Sequence, residues 1–199
     1  PPLIFRADGS NIRIDNKPGF WAGTNYYPSS SWWEWLWRDF RPQQANEDFA
    51  AMRRAGYRIV RIWVDPILDE QTLRAMDAAI YLAASHGIVL DVCVFTQWVR
   101  TIGFERASGE HVRFDFRRPI DFNIYGISFR NLDLQREYIG LLAGRWRNAG
   151  NLIYNLSNET YVKDPDKTQM DPEARPGKGG QAKTGEMRST PLFHKWSDA

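Results

Sequence analysis

The chain of 199 residues is poor in the features that mark several large classes of protein. It has one cysteine, so no disulfide framework can staple it, and one thiol says nothing of redox compartment. That cysteine, Cys93, sits inside the apolar run Ile88-Val89-Leu90-Asp91-Val92-Cys93-Val94-Phe95, where it reads as a small core residue rather than a nucleophile or ligand. Histidine is nearly as scarce. His86 ends a helical stretch, and His111 and His194 have no partner at ligand spacing, so neither a metal site nor any other cofactor is expected. Opposite charges are interspersed to a net +2, and the longest basic clusters are the pairs Arg53-Arg54 and Arg117-Arg118. No phosphate-tracking stripe exists, and nucleic acid is set aside as a partner. No apolar run approaches the ~18 residues of a membrane helix, and no basic amphipathic helix accompanies the tryptophans, so no membrane partner is expected. The start at Pro1-Pro2, without methionine, carries no intact signal peptide and fits a processed or trimmed N-terminus.

What the chain has is a core. At 43% hydrophobic and 14% aromatic it can bury the interior of one domain over residues 1–199. One unit recurs three times: a helical stretch, a glycine, then an apolar strand. Ala45, Phe49 and Met52 share a helical face that stops at Gly56 before Tyr57 to Val64. Leu73, Met76, Ile80 and Ala83 share another that stops at Gly87. Leu134, Tyr138, Leu141 and Leu142 mark a third, ending at Gly150. This order is the rhythm of a parallel sheet, and the strand 88–95 is too continuously apolar for a sheet with one wet face. Strands are expected near 20–26, 57–64, 88–95 and 152–157. Ahead of them, residues 1–18 read as a hairpin, with Leu3-Ile4-Phe5 and Ile12-Arg13-Ile14 flanking the turn Asp8-Gly9-Ser10-Asn11. Residues 161–189, broken by Pro165, Pro172, Pro176, Gly177, Gly179 and Gly180, read as a long mobile loop. Thr190 as N-cap, Pro191 and the apolar Leu192, Phe193 and Trp196 read as the start of a fourth helix in 190–199.

The chemistry concentrates where the fourth strand ends. The run Asn151-Leu152-Ile153-Tyr154-Asn155-Leu156-Ser157 leads straight into Asn158-Glu159. In parallel α/β folds the C-terminal ends of the strands are where loops converge and ligands bind, so Glu159 reads as a functional carboxyl, against the plainer reading of a solvated loop glutamate. Arg61 follows Val60 in an apolar strand, where an unpaired charge is costly. A structural ion pair with Asp91 or Asp65 and a catalytic role are both open. Trp32, Trp33, Trp35 and Trp37 crowd the loop after the first strand, and Trp98 follows the third. Flat rings match the apolar faces of pyranose sugars, and equally they pack on one another or cover a core.

Gly23-Thr24-Asn25-Tyr26-Tyr27-Pro28, then Met52-Arg53-Arg54-Ala55-Gly56-Tyr57-Arg58-Ile59-Val60-Arg61-Ile62-Trp63, then His86-Gly87-Ile88-Val89-Leu90-Asp91, then Asn158-Glu159 stand in the order of a known pattern. Over residues 3–160 the chain resembles the first half, strands one to four, of a clan A glycoside hydrolase. It is most similar to the family 5 endo-glycanases and mannanases. The resemblance implies a half of a (β/α)8 TIM barrel over residues 19–160. It implies Glu159 as general acid/base, Asn158 holding the sugar 2-hydroxyl, and Arg61 supporting a nucleophile on a seventh strand that these residues do not include. A substrate-binding surface is expected at Asn25, Tyr26, Trp32, Trp33, Trp35 and Trp98. Thr96-Gln97-Trp98 stands where many relatives carry a histidine.

Glycoside hydrolysis of the usual kind needs two carboxyl groups, and one alone does neither job. Two classes of function follow. The first is a retaining-type β-glycanase half completed by another chain or copy, so that the partners are an oligo- or polysaccharide and a homodimer mate or complementary half barrel. The second is a catalytically inactive carbohydrate-binding or vestigial module. A polysaccharide substrate implies secretion or the periplasm.

Overall fold

The computed structural model describes residues 5–8, 11–28, 36–96, 101–115 and 131–158. In chain order its elements are β1 (Phe5–Asp8), β2 (Asn11–Ile14), β3 (Lys17–Pro18), β4 (Gly23–Asn25), α1 (Pro42–Arg54), β5 (Ile59–Trp63), β6 (Ile67–Leu68), α2 (Glu70–Ser85), β7 (Val89–Thr96), β8 (Thr101–Glu105), β9 (His111–Asp115), α3 (Leu132–Arg145) and β10 (Leu152–Asn158).

The helices begin and end for local reasons. Pro42 opens α1, where its missing N–H and fixed φ cost nothing. Asp69 caps α2 reciprocally: its side chain accepts from the Thr72 backbone N–H, while the Thr72 hydroxyl accepts from the Asp69 N–H. Gly56 and Gly87 follow α1 and α2 at φ +93° and +68°, a left-handed conformation that a side chain resists, and each turns the chain into the next strand. α3 stops earlier than Gly150, at Arg145, and residues 146–151 run in turns to β10.

Those strands form one four-stranded sheet in the order β10-β7-β5-β4, parallel throughout. Each strand lies beside its predecessor in the helix–strand rhythm. The register fixes two faces. Val60, Leu90 and Leu152 share a row, as do Ile62, Val92 and Tyr154, and these pack in one core with Phe49 of α1, Met76 and Ile80 of α2 and Leu142 of α3. The opposite face starts with Ile59 and Val89, and there Ile14 of β2 packs fully buried, with Phe5, Trp21 and Ile153 around it. The N-terminal sheet β1-β2-β3 thus closes the end of that face where the strands begin. Phe5 N–H donates to Gly150 O at 3.1 Å, and Trp21 Nε1 to Ile12 O at 3.2 Å.

The four parallel strands and the hairpin are the expected ones, and the structure adds to them. Asp15 and Asn16 take φ +52° and +63°, so a two-residue turn joins β2 to β3, with residue types that tolerate the left-handed region. A third sheet, β6-β8-β9, pairs β6 with β8 in parallel and β8 with β9 as a hairpin. Its Ile102, Phe104, Val112 and Phe114 join the main core. Tyr138 of α3 ties this sheet to the first: its ring stacks on Phe95 at 5.6 Å and meets Phe104 edge-on at 6.2 Å, and its hydroxyl donates to Asp65 O at 2.9 Å. The expected loop 161–189 and helix 190–199 lie outside the described residues.

Candidate functional site

The face of the parallel sheet away from the helices is apolar where the strands begin and polar toward their C-terminal ends. One row across it holds Asn25, Arg61, Asp91 and Ile153 in register. Arg61 Nε donates to Asp91 Oδ2 at 2.7 Å, with the arginine side chain 35% and the aspartate 14% exposed. Of the two partners open to Arg61 in the sequence, Asp91 is the one that binds it. Asp65 is engaged elsewhere, its carboxylate accepting from Ile67 N–H at 2.7 Å. Burial raises the Asp65 pKa, against the opposing pull of that hydrogen bond and of Arg38.

The next row outward holds Trp63, Cys93 and Asn155. The Trp63 ring stacks on Tyr27, with centroids 4.7 Å apart and planes 21° from parallel. Tyr27 is 44% exposed. Burial, with a smaller contribution from Cys93, pushes the Tyr27 hydroxyl up to about 12, so it stays protonated at neutral pH. The Trp63 carbonyl is held by Trp37, whose Nε1 donates to it at 2.7 Å. Cys93 Sγ approaches Phe95 O at 3.3 Å and is buried.

The expected site residues fall into three groups. Arg61 and Asn25 lie on this face, in register with each other, and Asn25 is exposed. Tyr26 points the other way. It is 3% exposed, tilts against Phe49 of α1, and donates its hydroxyl to Asp48 Oδ2 at 2.9 Å; burial first, and that bond second, raise its pKa. Trp37, one of the crowded tryptophans, is a core ring at 2% exposed, tilted against Phe40. Asn158 ends β10 opposite Thr96. Its side chain, and Glu159, Trp32, Trp33, Trp35 and Trp98 whole, lie outside the described residues. Sequence reading passed over Tyr27 and Trp63 as site residues. The alternation of side chains along an extended segment could have separated Tyr26 from Tyr27.

His86 and His111 serve locally, the first with its Nε2 2.8 Å from Asn46 Oδ1 and the second 3.7 Å from Glu105. Among the described residues no group of three or more His, Cys, Asp or Glu side chains is placed to hold a metal ion. No helix among them is long and apolar enough to cross a membrane.

Four parallel strands in consecutive order, helices on one face and polar groups gathered at the strand ends define an α/β protein, and this arrangement is consistent with part of a (β/α)8 barrel. No family model and no curated protein matches the chain. Solved structures do. A GH5_18 variant from Streptomyces cattleya in complex with Manb1-4GlcNAc is similar at 19% identity and a TM-score of 0.50, over 77% of this chain and 36% of that one. A glycoside hydrolase family 5 protein from Bacteroides vulgatus matches at 17% identity and 0.49, over 79% and 32%. The endo-1,4-beta-mannanase from Rhizomucor miehei matches at 15% and 0.44, over 78% and 48%. The chain spans about a third of the length of the first two. The likeness to the Streptomyces protein is one of fold: this chain resembles a fragment of a family 5 glycoside hydrolase.

Proposed function

We propose that this chain is part of a glycoside hydrolase acting on a β-linked polysaccharide, with Glu159 as the general acid/base and Asn158 and Arg61 beside it. One observation carries the reading. β10 runs parallel to β7 and ends at Asn158, so Glu159 is the next residue in sequence after the C-terminal end of a strand of the parallel sheet, the end where loops converge and ligands bind in such folds. The GH5_18 protein of similar fold is in complex with Manb1-4GlcNAc, which supports a β-linked sugar as the ligand class. A glutamate in that role protonates the leaving glycosidic oxygen, while a second carboxyl attacks or activates water. Arg61, its Nε already bound to Asp91, is suited to neutralise that second carboxylate.

The second carboxyl comes from outside these four strands, and we infer that a second copy of the chain supplies it by pairing its sheet with this one. Two copies of Glu159 converging on one cavity with room for a water between them would give an inverting outcome or none at all.

The test is Glu159→Gln. Turnover of natural polysaccharide should fall by about 100-fold or more, the typical worth of general acid catalysis, and aryl glycosides with good leaving groups should suffer less. Equal activity of variant and parent on the polysaccharide refutes the assignment. A parent that binds oligosaccharide without turning it over favours a carbohydrate-binding module instead.

A further inference from the structure

We propose that Tyr27, its ring seated on Trp63, is a pyranose-binding platform, whose exposed face takes the apolar face of one sugar unit of a β-linked oligosaccharide. The inference rests on the glycosidase reading for its ligand class and on the geometry for its place.

Among the described residues four large apolar side chains are more than a third exposed: Ile12, Phe20, Tyr27 and Tyr81. Ile12 lies on β2, Phe20 precedes β4, and Tyr81 lies on α2. Tyr27 alone of the four follows the C-terminal end of a strand of the parallel sheet, where loops converge and ligands bind. Its exposure is not that of a loose loop residue. The ring is seated on Trp63, and the Trp63 main chain is pinned from behind by the buried Trp37 indole. Such a surface is flat, apolar and already ordered, so a ligand loses little by waiting for it to form.

Polar groups stand at the distance a sugar needs. Arg61 is two residues before Trp63 on the same strand face, about 7 Å away along the strand, with Asp91 and the exposed Asn25 in its row. A pyranose lying on the aromatic pair presents its rim of hydroxyls toward that row, where a guanidinium and an amide side chain offer donors and a carboxylate an acceptor. A lipid or an apolar peptide would desolvate that row without offering it hydrogen bonds, which disfavours it.

The probes are β-1,4-linked mannohexaose and cellohexaose, titrated into the full chain and followed by tryptophan fluorescence and by calorimetry. Tyr27→Ala should weaken binding of the preferred hexaose by about tenfold, near the upper range for one aromatic contact, and Tyr27→Phe should stay within about twofold of the parent. Phe20→Ala, which removes a fully exposed ring elsewhere, should change nothing. Tyr27→Leu keeps an apolar cover on Trp63 but not a flat face, and carries the same expectation as the alanine if that variant is unstable by circular dichroism. Parental affinity in both the Ala and Leu variants overturns the platform, as does a parent that binds neither hexaose at millimolar concentration. The acid/base reading fails separately: turnover that survives Glu159→Gln beside Tyr27-dependent binding removes it and leaves the platform standing. Glu159-dependent turnover with binding indifferent to Tyr27 removes only the platform.

Discussion

At Asn151 a single buried amide joins three segments. Its Nδ2 donates to Ile80 O of α2 at 3.1 Å and to Ile88 O before β7 at 3.3 Å, while its carbonyl accepts from Leu90 N–H at 2.8 Å. Asn151→Ala keeps the main-chain bond and removes the two side-chain bonds in a site only 3% exposed. The expected cost is about 1–3 kcal/mol of unfolding free energy, measured by urea denaturation, because buried carbonyls lose a partner that water cannot replace. A loss below ~0.5 kcal/mol would show that the carbonyls are satisfied without it. Nothing in the sequence separates this asparagine from an ordinary loop residue ahead of a strand. Arg61 is the contrary case: a cation in an apolar strand announces that it needs a partner. Which aspartate answers depends on strand register, since Asp91 stands opposite Arg61 while Asp65 lies in the turn beyond β5.

Between elements, the exposed seam of α2 and α3 is held by charge. Arg145 reaches Asp77 Oδ2 at 2.7 Å and Glu70 Oε2 at 3.3 Å, and Trp146 Nε1 donates to Asp77 Oδ1 at 2.8 Å. Burial alone raises the Asp77 pKa, but the bonds from Arg145 and Trp146 outweigh it and hold the carboxyl below its usual range. A carboxyl with a depressed folded-state pKa contributes stability that is fully present above its unfolded value of ~3.9 and is lost as pH falls through the folded value. Asp77→Asn should therefore lower the melting temperature at pH 7 and make its decline below about pH 4 shallower than the parent's, followed by circular dichroism. Parallel acid limbs in the two proteins would assign the acid sensitivity to other carboxylates. The ends of α1 and α2 were readable in sequence because Gly56 and Gly87 act through their own backbone, whereas α3 ends at Arg145, short of the expected Gly150. The sheet β6-β8-β9 was missed for two reasons. β6 has two residues, too few for a pattern, and the alternation of Ile102, Phe104, Val112 and Phe114 is interrupted by a turn at Gly109.

For the molecule as a whole, the decisive property is the pair of strands at the margins of the parallel sheet. Among the described residues β4 and β10 each pair on one side only, and an open edge beside a partly apolar face is a template for another sheet. Pairing by a two-fold axis would bring eight strands together. Sedimentation at micromolar concentration should find a particle of about twice 23.1 kDa. A stable monomer with a well-protected core would sink the pairing and leave the second carboxyl to be found elsewhere. The parallel strands and their order were open to sequence reasoning because the repeat of helix, glycine and strand is local. What covers the margins is not local, and no residue pattern along one chain reports it.

The N-terminal hairpin decides something else. With Ile14 and Val89 fully buried against Ile59 and Ile153, the floor beneath the polar row is solid. A polymer cannot thread such a molecule from one end to the other. The hairpin end is closed to any ligand, so access to Arg61 and its row is from the other end of the strands.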